Sequence, residues 1–87
     1  MDLDVAQTFL HIVNTGTFAR AAARQHVTQA AVSARIRGLE HELGKSLFVR
    51  NKAGARMTSA GREFLPHAMQ LVSVWEAARR RRFVPDF

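Results

Sequence analysis

The chain has 87 residues, of which 47% are apolar and 23% are charged, the balance of one small soluble domain rather than a disordered segment. It contains no cysteine, which excludes a disulfide framework, a thiolate metal site and a cysteine nucleophile. Thirteen lysine and arginine residues against seven acidic ones give a net charge of +6. Residues 16–62 hold nine of the basic side chains and two of the acidic ones, so this segment is suited to binding a polyanion.

The sequence shows no pattern typical of a membrane-spanning helix or of a metal site. No apolar run reaches the roughly 18 residues that a membrane helix needs. The first residues lack the basic stretch of a signal peptide, so a cytoplasmic, nucleoid-associated protein with no membrane partner is expected. The four histidines are too widely separated for a short metal motif, and neither a metal nor a cofactor is expected.

The first half of the chain predicts an amphipathic helix and then a short second helix, which a tight turn joins to the third; the second and third helices are the helix-turn-helix pair. Apolar periodicity indicates an amphipathic helix with Asp2 as its N-cap and Gly16 as its stop. A short, alanine-rich helix then begins at Thr17 and continues to Gln25. Residues 26–27 form a break before the third helix.

The third helix is predicted over about residues 29–43, with Thr28 as its N-cap and Gly44 just after its end. Its apolar side recurs at helical spacing and is expected to be buried. This side consists of Val32, Ile36, Leu39 and Leu43.

A hairpin and a long helix are predicted to follow. A short strand at 47–49 and a polar, basic loop at 51–56 indicate a β-hairpin that turns near Gly54. Thr58 or Ser59 then caps a final helix that continues to about residue 82.

This order of elements predicts a mainly α fold: a winged helix-turn-helix domain over residues 1–58, with a three-helix core and a small β-hairpin wing. A linker and dimerisation helix follows at 59–82, and residues 83–87 are expected to be a disordered tail. In this motif the second helix of the pair, here 29–43, enters the DNA major groove. Short alanine-rich helices also occur in plain bundles, so pattern alone leaves that alternative open.

The side of the third helix opposite the apolar stripe has small side chains where glutamate, lysine and glutamine are common. Small side chains let a helix backbone approach the floor of a groove, and alanine can contact a thymine methyl. Base contacts are therefore predicted for Gln29, Ala30, Ser33, Ala34 and Arg37. The alternative is that the two alanines pack against another helix of the same protein.

Contacts with phosphates or with the minor groove are predicted for helix caps and for cations of the helix pair and the hairpin. These residues are Thr17, Thr28, Arg20, Arg35, Arg50, Lys52 and Arg56. The competing interpretation of the hairpin cations is a solvated turn that keeps the domain soluble.

An apolar seam with heptad-like spacing follows the final helix. It consists of Phe64, Ala68, Leu71, Trp75 and Ala78. A helix of about 24 residues spans roughly 36 Å, more than the rest of the domain can cover, so pairing with the same helix of a second copy is predicted. The alternative is packing of the whole helix onto the first helix. Pro66 lies near the second turn and is expected to bend the helix rather than end it.

Taken in order, these motifs resemble the N-terminal DNA-binding domain of LysR-type transcriptional regulators. The resemblance extends from about residue 2 to residue 80 and rests on Phe9, Gly16-Thr17-Phe18, Ala21-Ala22, Val27-Thr28-Gln29, Ala31-Val32-Ser33, Ile36-Arg37-Gly38-Leu39-Glu40, Leu43-Gly44, Leu47-Phe48-Val49-Arg50 and Thr58-Ser59-Ala60-Gly61. It implies a bacterial regulator that dimerises through the linker helix and binds an interrupted palindromic operator. It further implies that the wing, near residues 52–53, reaches into the minor groove. The residues that the resemblance implies for base contacts are Gln29, Ala30, Ser33 and Ala34.

The sequence departs from the family pattern in three ways. In the family, position 30 is often proline and position 34 is often arginine. Both positions are alanine in this chain, and Arg35 follows Ala34. The family's operator sequence therefore does not transfer to this chain. The effector-binding domain of two α/β lobes has no counterpart in these residues. Whether they stand alone or belong to a longer regulator, no response to a small-molecule effector is expected of them.

These patterns favour sequence-specific, homodimeric DNA binding in transcriptional regulation. Two alternatives stay open: a protein-interaction module whose basic face binds an acidic partner, and a protein that packs the nucleoid without sequence preference. An enzyme is disfavoured, because no nucleophile is paired with a base and a small core leaves little room for a sheltered pocket.

Overall fold

The computed structural model describes residues 1–81, which form four helices and one two-stranded antiparallel sheet. The elements in chain order are α1 (Leu3–Thr15), α2 (Phe18–Gln25), α3 (Gln29–Leu43), β1 (Phe48–Asn51), β2 (Gly54–Met57) and α4 (Ser59–Arg80). The predicted winged helix-turn-helix fold followed by a long helix is confirmed. The predicted tail at 83–87, together with residue 82, lies outside the described residues.

Each helix begins at a polar cap whose side-chain oxygen accepts a hydrogen bond from the backbone amide three residues later. The four N-caps are Asp2, Thr17, Thr28 and Thr58. Gly16 and Gly44 end α1 and α3 in the left-handed conformation, as the sequence predicts. At the end of α2 the left-handed residue is His26, with φ 57°, and its backbone makes the sharp turn into α3.

The wing is a hairpin in which Phe48 pairs with Met57 and Asn51 pairs with Gly54. The turn therefore lies at residues 52–53, and Gly54 is the first residue of β2. The amide of Ala55 donates a 2.8 Å hydrogen bond to the carbonyl oxygen of Gly16. A Cβ at Gly54 would collide with that same oxygen, so glycine is needed for the wing to contact the α1–α2 turn.

The core lies where α1, α2, α3, β1 and the beginning of α4 meet. Its buried members include Phe9, Ile12, Phe18, Val32, Ile36, Leu39, Leu47, Phe48 and Ala68. The ring of Phe9 lies 5.1 Å from those of both Phe48 and Phe64, and Phe48 lies 5.9 Å from Phe18. This chain of aromatic contacts joins α1, α2, β1 and α4 into one packed unit. Val32, Ile36 and Leu39 attach α3 to the same core.

The prediction that Leu43 belongs to the core is wrong, because this side chain is 43% exposed. It is the last residue of α3, and the chain turns away at Gly44, so the core covers only one side of it. Leu43 lines an open cleft with Leu47 and Phe64.

The final helix has an inner half that packs on the domain and an outer half that extends beyond it. Pro66 lies inside α4 without ending it, as predicted. Phe64 is half-buried and Ala68 is fully buried, both within the protomer's own core. The structure therefore corrects the prediction for Ala68, whose side chain is covered before any second copy arrives. None of the helices among residues 1–81 is long and apolar enough to cross a membrane.

Candidate nucleic-acid interface

The outer face of α3 is open to solvent. Gln29, Ala30, Ala34 and Arg37 are exposed, and Ser33 is half-buried beside them. The opposite face, which includes Val32, Ile36 and Leu39, is buried in the core. The alternative in which the two alanines pack inside the protein is therefore wrong, and the five predicted base contacts lie on one accessible surface.

The wing lies next to this surface. Arg50, Lys52 and Arg56 are exposed on the hairpin, and one cleft is lined both by Gln29 of α3 and by residues 50–55. The caps Thr17 and Thr28 begin the two helices of the helix-turn-helix pair. The exposed Arg20 lies in the first turn of α2. The first turns of helices have backbone amides suited to phosphate oxygens, so these positions can act together with the wing.

Arg35 does not belong to this surface. It is half-buried, and its Nη1 donates hydrogen bonds of 3.3 Å to Oγ1 of Thr8 and of 3.3 Å to Oε1 of Gln25. Thr8 is itself fully buried, so the three side chains form an internal polar cluster that joins α3 to α1 and α2. The structure thus corrects the prediction of a phosphate contact: the guanidinium bonds within the domain and links α3 to α1 and α2 instead.

In the part of the chain that the structure describes, the cations of this surface form no salt bridge with an acidic side chain. Among residues 1–81, salt bridges join only the Met1 amino group to Glu42, at 3.2 Å, and Arg79 to Glu76, at 2.9 Å. An Oε2 of Glu40 accepts hydrogen bonds from the backbone amide of Leu47, at 2.6 Å, and from Ser46 Oγ, at 3.3 Å. The positive potential of α3 and the wing is therefore left for an external anion.

One contact of this surface was missed by the sequence reasoning. The guanidinium carbon of Arg50 lies 4.0 Å from the ring centroid of Phe18, a cation–π stack between the wing and α2. Nothing in the local spacing connects the two residues, because they approach each other only when the hairpin folds onto the α1–α2 turn.

A histidine with an unusual environment lies on α1, outside the surface formed by α3 and the wing. His11 is half-buried, and its Nδ1 is buried with no hydrogen-bond partner among the described residues. Burial, and after it the positive charge of Arg24, lowers the pKa of His11 below its usual value. Both effects favour the neutral form of the imidazole.

The geometry defines a winged helix-turn-helix DNA-binding protein, with an exposed recognition helix beside a basic wing. The sequence identifies the family: the family model described as "Bacterial regulatory helix-turn-helix protein, lysR family" matches residues 3–62. The chain belongs to this family.

Curated relatives agree with this assignment. The HTH-type transcriptional regulator HdfR of Shigella boydii serotype 18 is 48% identical over 80 residues, which are 92% of this chain and 29% of that protein. The protein of the same name from Escherichia coli O139:H28 has the same identity and coverage. The chain thus spans less than a third of the length of these relatives, which are transcriptional regulators.

Solved structures show the same fold, and several of them contain DNA. The crystal structure of a CbnR_DBD-DNA complex matches with a TM-score of 0.86 and 30% identity, over 93% of each chain. The BenM_DBD/benA site 1 DNA complex matches with a TM-score of 0.85 and 28% identity, over 93% of this chain and 91% of that one. VV2_1132, a LysR family transcriptional regulator, matches at 0.86 and 31%, over 93% of this chain and 28% of that one.

Proposed function

We propose that this chain binds a specific double-stranded DNA sequence as a homodimer and is the DNA-binding part of a cytoplasmic, nucleoid-associated transcriptional regulator. The observation that carries the proposal is the exposed, small-residue face of α3. A helix with this face can enter the major groove, and the unpaired cations around it match the phosphate backbone. The similarity to protein–DNA complexes supports the same function.

Each part of the surface has a distinct role in the proposed complex. Gln29 and Ser33 hydrogen-bond to base edges, and Arg37 bonds to a guanine edge or to a phosphate. Ala30 and Ala34 let the backbone approach and place methyl groups against thymine. Phosphate contacts come from the two caps and the exposed cations, which are Thr17, Thr28, Arg20, Arg50, Lys52 and Arg56.

The proposed dimer forms through the outer half of α4. Leu71 is 44% exposed, Trp75 46% and Val74 64%, and Ala78 is exposed beside them. These side chains lie on one side of the helix, beyond the last core residue, Ala68. Pairing of two such faces about a two-fold axis buries these apolar side chains and produces a dimer that contains two copies of α3. Two recognition helices placed about 34 Å apart read an interrupted palindrome.

A charge placed on the recognition face tests the DNA contact. Ala34→Glu is expected to abolish binding to a duplex selected from random sequences while the protein stays folded, because the side chain is exposed. Ala77→Glu is the matched control, since Ala77 is also exposed within a helix but lies on α4. If A34E and A77E bind DNA equally well, the basic face serves another partner, such as an acidic protein.

Salt dependence and selection test the mode of binding. A dimer that neutralises about 6–10 phosphates loses about 10³- to 10⁵-fold in affinity between 50 and 200 mM salt. A flat dependence in a mobility-shift titration contradicts a phosphate-based interface. Selection from random duplexes should enrich two related half-sites. Enrichment of no sequence, with strong binding retained, would instead indicate nucleoid packing.

The dimer has its own matched pair of variants. Trp75→Glu is expected to give monomers in analytical ultracentrifugation, because it places a charge in the middle of the exposed apolar face. Met69→Glu changes an equally exposed side chain, at 55%, that lies about 120° around the same helix, and it should leave the dimer intact. Equal effects of the two substitutions contradict this dimer surface.

A further inference from the structure

We propose that Phe18 is a positioning residue for DNA binding: its ring holds the guanidinium of Arg50 between the recognition helix and the wing, ready for a phosphate. The inference rests on the proposed function. Phe18 itself is only 5% exposed and belongs to the core, so it acts through Arg50 rather than by touching DNA.

The ring that supports Arg50 is itself fixed in orientation. Phe18 and Phe48 pack in a T-shaped pair, with ring centroids 5.9 Å apart and an angle of 79° between the ring planes. Phe48 in turn packs against Phe9 in the centre of the domain. The guanidinium, 4.0 Å from the Phe18 centroid, therefore rests on a rigid apolar surface, which restricts the rotamers of a long and otherwise exposed side chain.

The backbone of the wing reinforces the same position. Arg50 of β1 pairs directly with Ala55 of β2, and the amide of Ala55 donates its hydrogen bond to Gly16. Both strands of the hairpin are thus attached to the segment 16–18, one through the backbone and the other through the stack. The two attachments hold the Arg50 side chain in a constant place relative to α2 and α3.

Two clefts meet at the stacked pair. In one, Phe18 and Arg50 lie with Ser33 and Arg37 of α3, and in the other they lie with Gln29. The guanidinium therefore lies among the predicted base contacts of α3. Within residues 1–81 it makes no hydrogen bond to another side chain, and the carboxylate of Glu40 in the first cleft is bonded to Leu47 and Ser46. The guanidinium carbon lies over the ring, and the N–H donors of Arg50, which bond to no side chain within residues 1–81, are left for phosphate oxygens.

The stack should contribute to affinity by lowering the entropy lost on binding. Immobilising a long side chain at an interface costs about 0.5–1.5 kcal/mol, or about two- to twelvefold in affinity. Phe18→Leu keeps an apolar side chain in the core and removes the ring. We therefore expect F18L to weaken DNA binding about fivefold per domain. The slope of log affinity against log salt should stay unchanged, because Arg50 keeps its charge.

The experiment is fluorescence anisotropy of the 87-residue chain with a fluorescein-labelled duplex of random sequence, titrated at several salt concentrations. The variants are F18L, R50Q, F18L/R50Q and the control F64L, which shortens a half-buried ring that packs on Phe9 rather than on Phe18. R50Q should lower the salt slope by about 1 per domain. F18L should have no further effect in the R50Q background, and F64L should bind as the wild type does once circular dichroism shows that it is folded.

The possible results separate this inference from the proposed function. Failure of the wild-type chain to bind any duplex refutes the proposed function and this inference with it. Normal duplex binding by F18L overturns the inference alone. An equal loss in F18L and F64L overturns it as well, and so does an undiminished effect of F18L when Arg50 is absent. If F18L does not fold, R50K replaces it, since lysine keeps the charge but cannot stack a planar group. R50K should lose affinity at an unchanged salt slope, and full affinity in R50K would overturn the inference.

Discussion

A glycine in the recognition helix permits a direct test of how α3 meets DNA. Gly38 is exposed within α3, and a Cβ built there would have no atom within 4 Å other than its own helix and chain neighbours. Its backbone is not in the left-handed region, so alanine fits without strain. No packing in the domain requires glycine at this position.

The expected gain in stability follows from the backbone. Glycine in the middle of a helix is less favourable than alanine by about 0.5–1 kcal/mol, chiefly because it leaves the unfolded chain more freedom. For a domain of this size that free energy corresponds to an increase of about 2–8 °C in Tm. Gly38→Ala should therefore unfold at a higher temperature than the wild type.

The same variant should bind DNA with unchanged affinity. Recognition helices contact base edges mainly through their N-terminal residues. Gly38 is the tenth residue of α3, beyond the turns that contain Gln29, Ser33 and Ala34. Thermal unfolding followed by circular dichroism measures the change in Tm, at a single protein concentration because dimerisation is coupled to stability. Fluorescence anisotropy with a selected duplex measures the affinity for DNA.

Two results would refute this reasoning. A Tm equal to or below that of the wild type would mean that the backbone at Gly38 is strained after all. Higher stability combined with a loss of affinity of tenfold or more, about 1.4 kcal/mol, would mean that α3 lies along the groove beyond its first turns. The predicted set of base contacts would then have to extend past Arg37.

Three further predictions concern the fold that presents the surface. Thr8→Val removes the hydroxyl that accepts from Arg35, and it should lower the free energy of unfolding by about 1–2 kcal/mol in urea titrations; an unchanged midpoint would mean that the cluster contributes nothing. Burial and Arg24 lower the pKa of His11, so the unfolded chain binds more protons near pH 6 and the free energy of unfolding should fall as the pH drops below the usual histidine value of 6.5. His11→Gln should remove that part of the pH dependence, and equal slopes in variant and wild type would contradict it. Gly54→Ala should lower the free energy of unfolding by about 2 kcal/mol or more, since its Cβ meets a backbone oxygen, and wild-type stability would show that the wing can move aside.

The sequence by itself determined the features that depend on neighbours within a few residues. A capping side chain bonds to an amide three positions later, so Thr17 and Thr28 mark the helix starts wherever the helices go. The helical period separates Val32 and Ile36 from Ala34 by simple rotation around α3. The accessible recognition face could therefore be predicted before any tertiary contact was known.

Only the tertiary structure decided which side chains have partners far along the chain. Arg35 bonds to Thr8, which is 27 residues away, and Arg50 stacks on Phe18 across the wing. The apolar seam of α4 is continuous in sequence, yet Ala68 lies inside the domain and Trp75 outside it. Periodicity identifies the apolar side of a helix, but how much of that side is buried depends on where the neighbouring elements end, and that is a property of the packed domain.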